Sequence, residues 1–190
     1  MMTDRSYIVS SIKTNEEETD LNASFIAAPM SRNALKEITG IIRDSIGLKD
    51  IRNFPVVRFL EQALPQIDED FVLEIKDTQE MSQYGIAYPK DRKIELRQDV
   101  YEGAIRGVPR DRFTIAHEIG HYILHRPERI GLARTNEKPK PYQDPEWQAN
   151  TFAGELLVPC HVIRGMTLNQ IVQECGVSRM VAEIQLKSLK

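Results

Sequence analysis

The chain is short of what an exported or membrane protein needs. Among 190 residues it has two cysteines, Cys160 and Cys175. They form no CxxC pair and no disulfide framework, which excludes a stapled secreted scaffold. Both are expected as buried thiols in a reducing compartment. No hydrophobic run approaches the roughly 20 residues of a transmembrane helix. Met1-Met-Thr-Asp-Arg-Ser-Tyr7 lacks a basic start followed by an apolar core, so no signal peptide is read and a cytoplasmic location is expected. Positive charge is also scarce: 25 Lys and Arg against 28 Asp and Glu give a net charge of −3 and a pI near 5.9. That argues against nonspecific affinity for nucleic acid or an anionic membrane, leaving room only for a local basic patch. Repeats and low-complexity tracts are absent. What remains, 41% hydrophobic and 28% charged residues, is the balance of a globular domain with a real core.

Against this ordinary background one pentad stands out, His117-Glu118-Ile119-Gly120-His121. On a helix, imidazoles four residues apart share one face, about 6 Å apart along the axis. They can close on one metal ion, while Glu118 lies close enough to take a proton from water at the ion. This is the HExxH pattern of zinc peptidases. Its setting is helical. From Asp111 to His125, Phe113, Ala116, Gly120 and Leu124 recur at three- and four-residue spacings. Ile115, Ile119, Tyr122 and Ile123 widen that apolar surface, so the helix is expected to be largely buried. Gly120 is a poor helix former, and its expected use is to admit a neighbouring backbone.

The remaining pattern predicts an α+β fold, with the HExxH helix and a second ligand helix packed on a sheet of about three strands. Residues 1–28 are weakly patterned, apart from a short strand expected over Tyr7–Ile12 and a solvated acidic run at Glu16–Asp20. Ser31 caps a helix to about Ser45 with Leu35, Ile38, Ile41 and Ile42 on its apolar side. A second helix covers Pro55–Ala63 and stops near Pro65. Phe71–Ile75 reads as a strand. Tyr84–Tyr88 and Lys93–Arg97 flank a turn and read as a hairpin, whose edge strand could bind an extended substrate. Residues 126–143, rich in proline and charge, read as a loop. Asp144 caps a helix running to about Val158, with Pro145 at its first position. After a metallopeptidase domain over 29–160, residues 161–190 form a helix-turn-helix-like appendage, Thr167–Cys175 and Arg179–Leu189 around Gly176-Val-Ser178. Such a unit can read DNA, but Arg179, Lys187 and Lys190 are a thin basic set, and a packing role is expected instead.

Two histidines need a third protein ligand. His125 continues the row on the helix but lies about 12 Å of rise from His117, too far to share an ion with it. It reads as a wall or supporting residue. Glu146, Glu155 and Cys160 are the candidates on other elements.

Arg112-Phe-Thr-Ile-Ala-His-Glu-Ile-Gly-His121, followed by Glu146-Trp-Gln-Ala-Asn-Thr-Phe-Ala-Gly-Glu-Leu-Leu-Val-Pro159, resembles the ImmA/IrrE family of bacterial metallopeptidases. That family pairs a HExxH helix with a helix of the form E-x-x-A-N-x-F-A-x-E-L-L-M-P, and Val158 stands here where Met is usual. The resemblance spans roughly residues 30–190. It implies a gluzincin-like endopeptidase with Zn²⁺ (or Mn²⁺ or Fe²⁺) held by His117, His121 and Glu146, and Glu118 as general base. Glu155, about 14 Å of rise from Glu146, cannot bind the same ion. It and Asn150 are expected to orient ligands or tie helices together. An oxyanion donor could come from Tyr88, Tyr101, Tyr122 or Tyr142. The implied substrate is a helix-turn-helix (XRE-type) repressor encoded nearby, whose cleavage frees stress-response or mobile-element genes. The rival reading is a non-proteolytic regulator that binds a repressor or DNA through its terminal helices. A third is a metalloenzyme acting on a small amide.

Overall fold

The computed structural model describes residues 24–126, 133–135 and 140–189. The strand expected at Tyr7–Ile12 and the acidic run at Glu16–Asp20 lie outside the described residues. In chain order the elements are β1 (Ser24–Ile26), α1 (Arg32–Ser45), α2 (Val56–Arg58), α3 (Leu64–Ile67), β2 (Val72–Lys76), β3 (Gly85–Tyr88), β4 (Lys93–Arg97), α4 (Gln98–Ile105), α5 (Pro109–Leu124), β5 (Ala133–Thr135), α6 (Pro145–Leu157), α7 (Cys160–Ile163), α8 (Leu168–Cys175) and α9 (Arg179–Lys187). The fold is mixed, α with a small sheet, as the hydrophobic periods predict. No described helix is long and apolar enough to cross a membrane.

Local chemistry sets the helix starts. Ser31 accepts a bond from Ala34 N–H and opens α1. Asp144 accepts one from Glu146 N–H, and Pro145 follows at the first helical position of α6. Thr167 and Gln170 close a capping box on α8. On α1 the expected Leu35 is fully buried and Ile38 and Ile42 pack against the core, but Ile41 is 69% exposed and the most buried stripe is Leu35, Thr39 and Arg43, four residues apart. Polar groups can hold such a stripe when each finds a partner. Thr39 Oγ1 donates to Leu35 O at 3.0 Å. Arg43 donates to Leu156 O at 2.7 Å, Lys49 O at 3.2 Å and Ile51 O. Burial nevertheless pushes its guanidinium down to about 10.

The helix from Val56 runs on past Pro65. A π-type turn over Phe59–Ala63 joins α2 to α3. The wider turn accommodates a proline that has no N–H to give. The sheet order is β2-β4-β3, with β2 parallel and β3 antiparallel to β4. Ile94 and Leu96 of β4 are fully buried between charged neighbours. The β3–β4 pair is the expected hairpin, closed through a 3-10 turn at Pro89–Asp91. Within 126–143, read as a loop, Ala133–Thr135 instead forms β5, which pairs with β1. Short strands in proline-rich sequence are set by their distant partner, not by local period. Helix α4, without a clear sequence signal, fills the space between the sheet and α5.

Helix α5 packs most extensively against α6. Gly120 is where they meet: a Cβ there would come within 3.2 Å of the Ala149 Cα. The core continues through Ile115, Ile119, Tyr122, Phe152 and Leu156, all fully buried. The carboxyl end of α8 is bound to α5 by Arg112, 6% exposed. Its guanidinium donates to Gly176 O (3.1 Å), Cys175 O (3.4 Å) and Phe54 O (2.9 Å). Cys175 is buried as expected, but Cys160 is only partly covered and lies 3.3 Å from Ser188 Oγ.

Candidate metal centre

His117 and His121 lie one turn apart on α5, and Glu146 stands in the first turn of α6, directly opposite. The packing at Gly120 brings the two helices that close. His117 Nε2 is 3.3 Å and His121 Nε2 3.2 Å from the Glu146 carboxylate, and the two Nε2 atoms are 3.0 Å apart. These three form a His/Cys/Asp/Glu group with ligand atoms all within 4.8 Å of one another. Tetrahedral bonds of about 2.0–2.1 Å place ligand atoms about 3.4 Å apart, so the triangle fits one zinc-sized ion. Glu146 is exposed, which leaves the outer side of the triangle accessible.

The tautomers can be read from the partners. Gln148 Nε2 donates to Ala28 O (2.9 Å) and Tyr142 O (2.8 Å), which fixes the orientation of its amide. Its Oε1 therefore accepts from His125 Nε2–H at 3.0 Å. His125 Nδ1 is then the bare nitrogen and accepts from His121 Nδ1–H at 2.9 Å. That leaves His121 Nε2 with a free lone pair facing Glu146. In parallel, His117 Nδ1–H donates to Asn150 Oδ1 at 3.1 Å, leaving its own Nε2 free. Such partners orient ligating imidazoles and raise their basicity. Burial pushes the His125 imidazole down to about 4, which keeps it neutral for this task.

The charges agree with a cation-binding triangle. Burial alone would lower the His117 pKa. In the protonated ring, Nε2–H donating to Glu146 and the charges of Glu118 and Glu146 outweigh that, and the net shift is upward. The same bonds, donated by the Nε2–H groups of His117 and His121 when those rings are protonated, hold the Glu146 carboxyl well below the usual carboxylate range. Glu118 is 8% exposed. Burial raises its pKa, partly offset by the charges of His117 and His121 and by the Ala87 backbone N–H. It rests against the edge strand: a Cβ on Gly85 would lie 2.8 Å from Glu118 Cγ. The carboxylate thus sits between the triangle and the edge of β3, which pairs with no further strand among the described residues.

The other candidates lie elsewhere. Glu155, 1% exposed, pairs with Arg32 of α1 at 2.9 Å and ties α1 to α6. Cys160 sits beside Ser188. Tyr122 is fully buried, and its hydroxyl donates to Asp68 at 2.6 Å. Tyr101 donates to Glu61. Tyr88 and Tyr142 are left as the candidates whose hydroxyls make no hydrogen bond among the described residues, with Tyr142 40% exposed. Sequence reasoning missed Gln148 as a support, and also Asp68, which gathers Tyr122, Arg126 and Arg92 beyond the end of α5. No local pattern marks either residue, because each acts across a long sequence separation.

The family model described as Peptidase_M78, IrrE N-terminal-like domain, matches residues 70–187. The chain belongs to this family. That makes it a metallopeptidase domain whose family uses a metal, usually zinc, and the His117–His121–Glu146 group is where the chain can hold one. A search of curated proteins found no match. The family match covers the three-stranded sheet, both site helices and α7 to α9, while α1 and Ala28, which brace α6 and Gln148, precede it.

Proposed function

We propose that the chain is a zinc-dependent endopeptidase that hydrolyses a peptide bond in a protein substrate. The observation that carries this is the juxtaposition of the His117–His121–Glu146 triangle, the buried Glu118 and the outer edge of β3, unpaired among the described residues. A zinc ion bound there would supply Lewis-acid chemistry, acidifying water and polarising the scissile carbonyl. Glu118 takes the proton from water and hands it to the leaving amine nitrogen. Its raised pKa brings the carboxyl nearer to neutrality, which suits a group that must both accept and return a proton. Asn150 and the Gln148–His125 pair hold the two imidazoles with Nε2 outward. The edge of β3 offers main-chain hydrogen bonds to an extended substrate segment, which aligns one carbonyl beside Glu118.

For the substrate we infer a helix-turn-helix (XRE-type) repressor, cut to release stress-response or mobile-element genes. This rests on the family resemblance. It is supported by the chain's acidic balance and by α9, where Arg179 is paired with Glu183 at 2.9 Å. That pairing thins the positive surface a DNA reader needs. The test mixes the zinc-loaded protein with the helix-turn-helix regulator encoded beside it and follows fragments by mass spectrometry, alongside Glu118→Gln. Wild type is expected to yield a defined cut, and Glu118→Gln to keep its zinc and yield none. A variant cutting at near wild-type rate would remove Glu118 as the base. Tight binding of the regulator by both proteins with no cleavage would favour the non-proteolytic reading.

A further inference from the structure

The last turn of α5, which carries His121, is held from both sides. On one side Gln148 accepts from His125 at 3.0 Å. On the other stands Asp68, the residue that ends α3, 6% exposed. Its Oδ2 accepts from the Tyr122 hydroxyl at 2.6 Å and from Arg126 at 2.5 Å. Its Oδ1 accepts from Arg92 at 2.9 Å. This carboxylate thus joins the end of α3, the β3–β4 turn and the end of α5. Arg126 also lies over the Tyr122 ring, 4.7 Å from its centre. A carboxylate so deeply covered is costly unless fully engaged, so these contacts form a fixed clasp.

We propose that Asp68 is a positioning residue for the metal centre: by holding Tyr122 and Arg126 it fixes where α5 ends, and so keeps His125 in place as the acceptor of the His121 Nδ1–H. Both contacts fall beside a member of that relay, since Tyr122 follows His121 and Arg126 follows His125. His125 is where the helix stops. Its N–H still bonds to His121 O at 3.0 Å, but its φ of −108° and ψ of 35° have left the α-helical values. Beyond that point no helical ladder fixes the backbone. The Arg126–Asp68 contact supplies the missing constraint. A chain that continued the helix, or frayed, would carry the imidazole off its 2.9 Å contact with His121. Gln148 grips the far nitrogen of the ring, and Arg126 fixes the backbone from which the ring hangs. Together they set its orientation. Asp68 precedes residues 70–187, so the family match does not supply it. The inference rests on the His117–His121–Glu146 metal site and is independent of proteolysis.

The experiment compares the two arginines that share the carboxylate. Arg126→Met cuts its link to α5, and Arg92→Met cuts its link to the β3–β4 turn. Their side chains are 25% and 45% exposed, so both variants should fold. Zinc affinity is read by competition with a chromophoric chelator, and ¹⁵N imidazole signals of the metal-free chain report on His121 and His125. Arg126→Met is expected to weaken zinc binding about tenfold, the lower end for loss of a group that orients a ligating histidine, and to shift the His121 Nδ1–H signal. Arg92→Met is expected to leave both readouts unchanged. Asp68→Asn keeps the size but removes the charge and one acceptor oxygen, and it should match Arg126→Met; the arginine pair decides the case by itself should that variant fail to fold. Wild-type affinity with an unchanged His121 signal in Arg126→Met overturns the proposal. Equal losses in the two arginine variants also overturn it, because they assign the effect to stability alone. A wild type that takes up no zinc defeats the metal-centre assignment instead, and a shifted His121 signal in metal-free Arg126→Met still supports the clasp.

Discussion

Replacing Gln148 by Leu tests whether the metal site is built from outside its own ligands. The side chain is 1% exposed. It donates to Ala28 O at 2.9 Å and Tyr142 O at 2.8 Å, and accepts from His125 at 3.0 Å. Leucine fills similar space but removes all three bonds, stranding the Ala28 carbonyl and an imidazole N–H, while Tyr142 O keeps its bond from Met30 N–H at 2.8 Å. At about 1 kcal/mol per hydrogen bond, the metal-free protein should lose about 3 kcal/mol. The second effect is on the metal. Without Gln148 Oε1, nothing fixes the proton on His125 Nε2, and His125 Nδ1 is free to carry it instead. His121 then loses its acceptor and its assigned tautomer. Loss of such a support typically weakens metal binding about 10–100-fold. Urea unfolding of the metal-free chain measures the first quantity. Competition with a chromophoric zinc chelator measures the second, and ¹⁵N spectra of His121 report the tautomer. A variant that loses stability but binds zinc with wild-type affinity and an unchanged His121 tautomer would refute the relay and reduce Gln148 to a loop anchor.

Three further outcomes are expected. Glu146→Ala should lose zinc at stoichiometric protein concentration, read by metal analysis after dialysis; retained affinity would take Glu146 out of the site. Gly85→Ala should keep zinc yet lose cleavage at least about tenfold, because a Cβ 2.8 Å from Glu118 Cγ must displace that carboxylate; full activity would show that Glu118 has freedom the packing denies. Zinc affinity should fall as pH drops through the His117 pKa, which is raised above 6.5 in the metal-free chain, since only the neutral imidazole ligates. The same raised pKa stabilises the metal-free fold at low pH and ceases to do so as pH rises through it. Calorimetry in buffers of different ionisation enthalpy should therefore show more protons released per zinc on the acid side, and a constant proton count would refute the coupling.

The parts of this molecule that could be read from sequence are those written within one turn of helix or one pair of strands. The i, i+4 spacing of His117 and His121, the caps at Ser31 and Asp144, and the alternation of Ile94 and Leu96 are local facts with local consequences. The approach at Gly120 was legible for a related reason: a glycine inside a strongly apolar helix costs helix stability unless something needs the space. The meeting of α5 with Glu146 is long-range, and the family resemblance supplied the pairing that spacing alone left open among Glu146, Glu155 and Cys160. Three features ran against local pattern. On α1, Leu35, Ile38 and Ile42 meet the core as their spacing predicts, but Ile41 does not, because buried bonds donated by Thr39 and Arg43 turn the 35, 39 and 43 stripe inward. Strand β5 exists only through β1. Gln148 draws its partners from Ala28, Tyr142 and His125, which no window of sequence contains.

Arg112 lies on the same rigid helix as His117, about a turn and a half ahead of it, and its guanidinium N–H groups are satisfied by carbonyls at 54, 175 and 176. This sets an order of assembly. Until the chain around residue 176 has been made and seated, α5 would have to bury a guanidinium with most of its acceptors missing, at a cost that favours leaving the helix undocked. The two histidines are therefore held against Glu146 only in a chain whose segment around residue 176 is already seated, and the link is a structural arginine with no part in the chemistry.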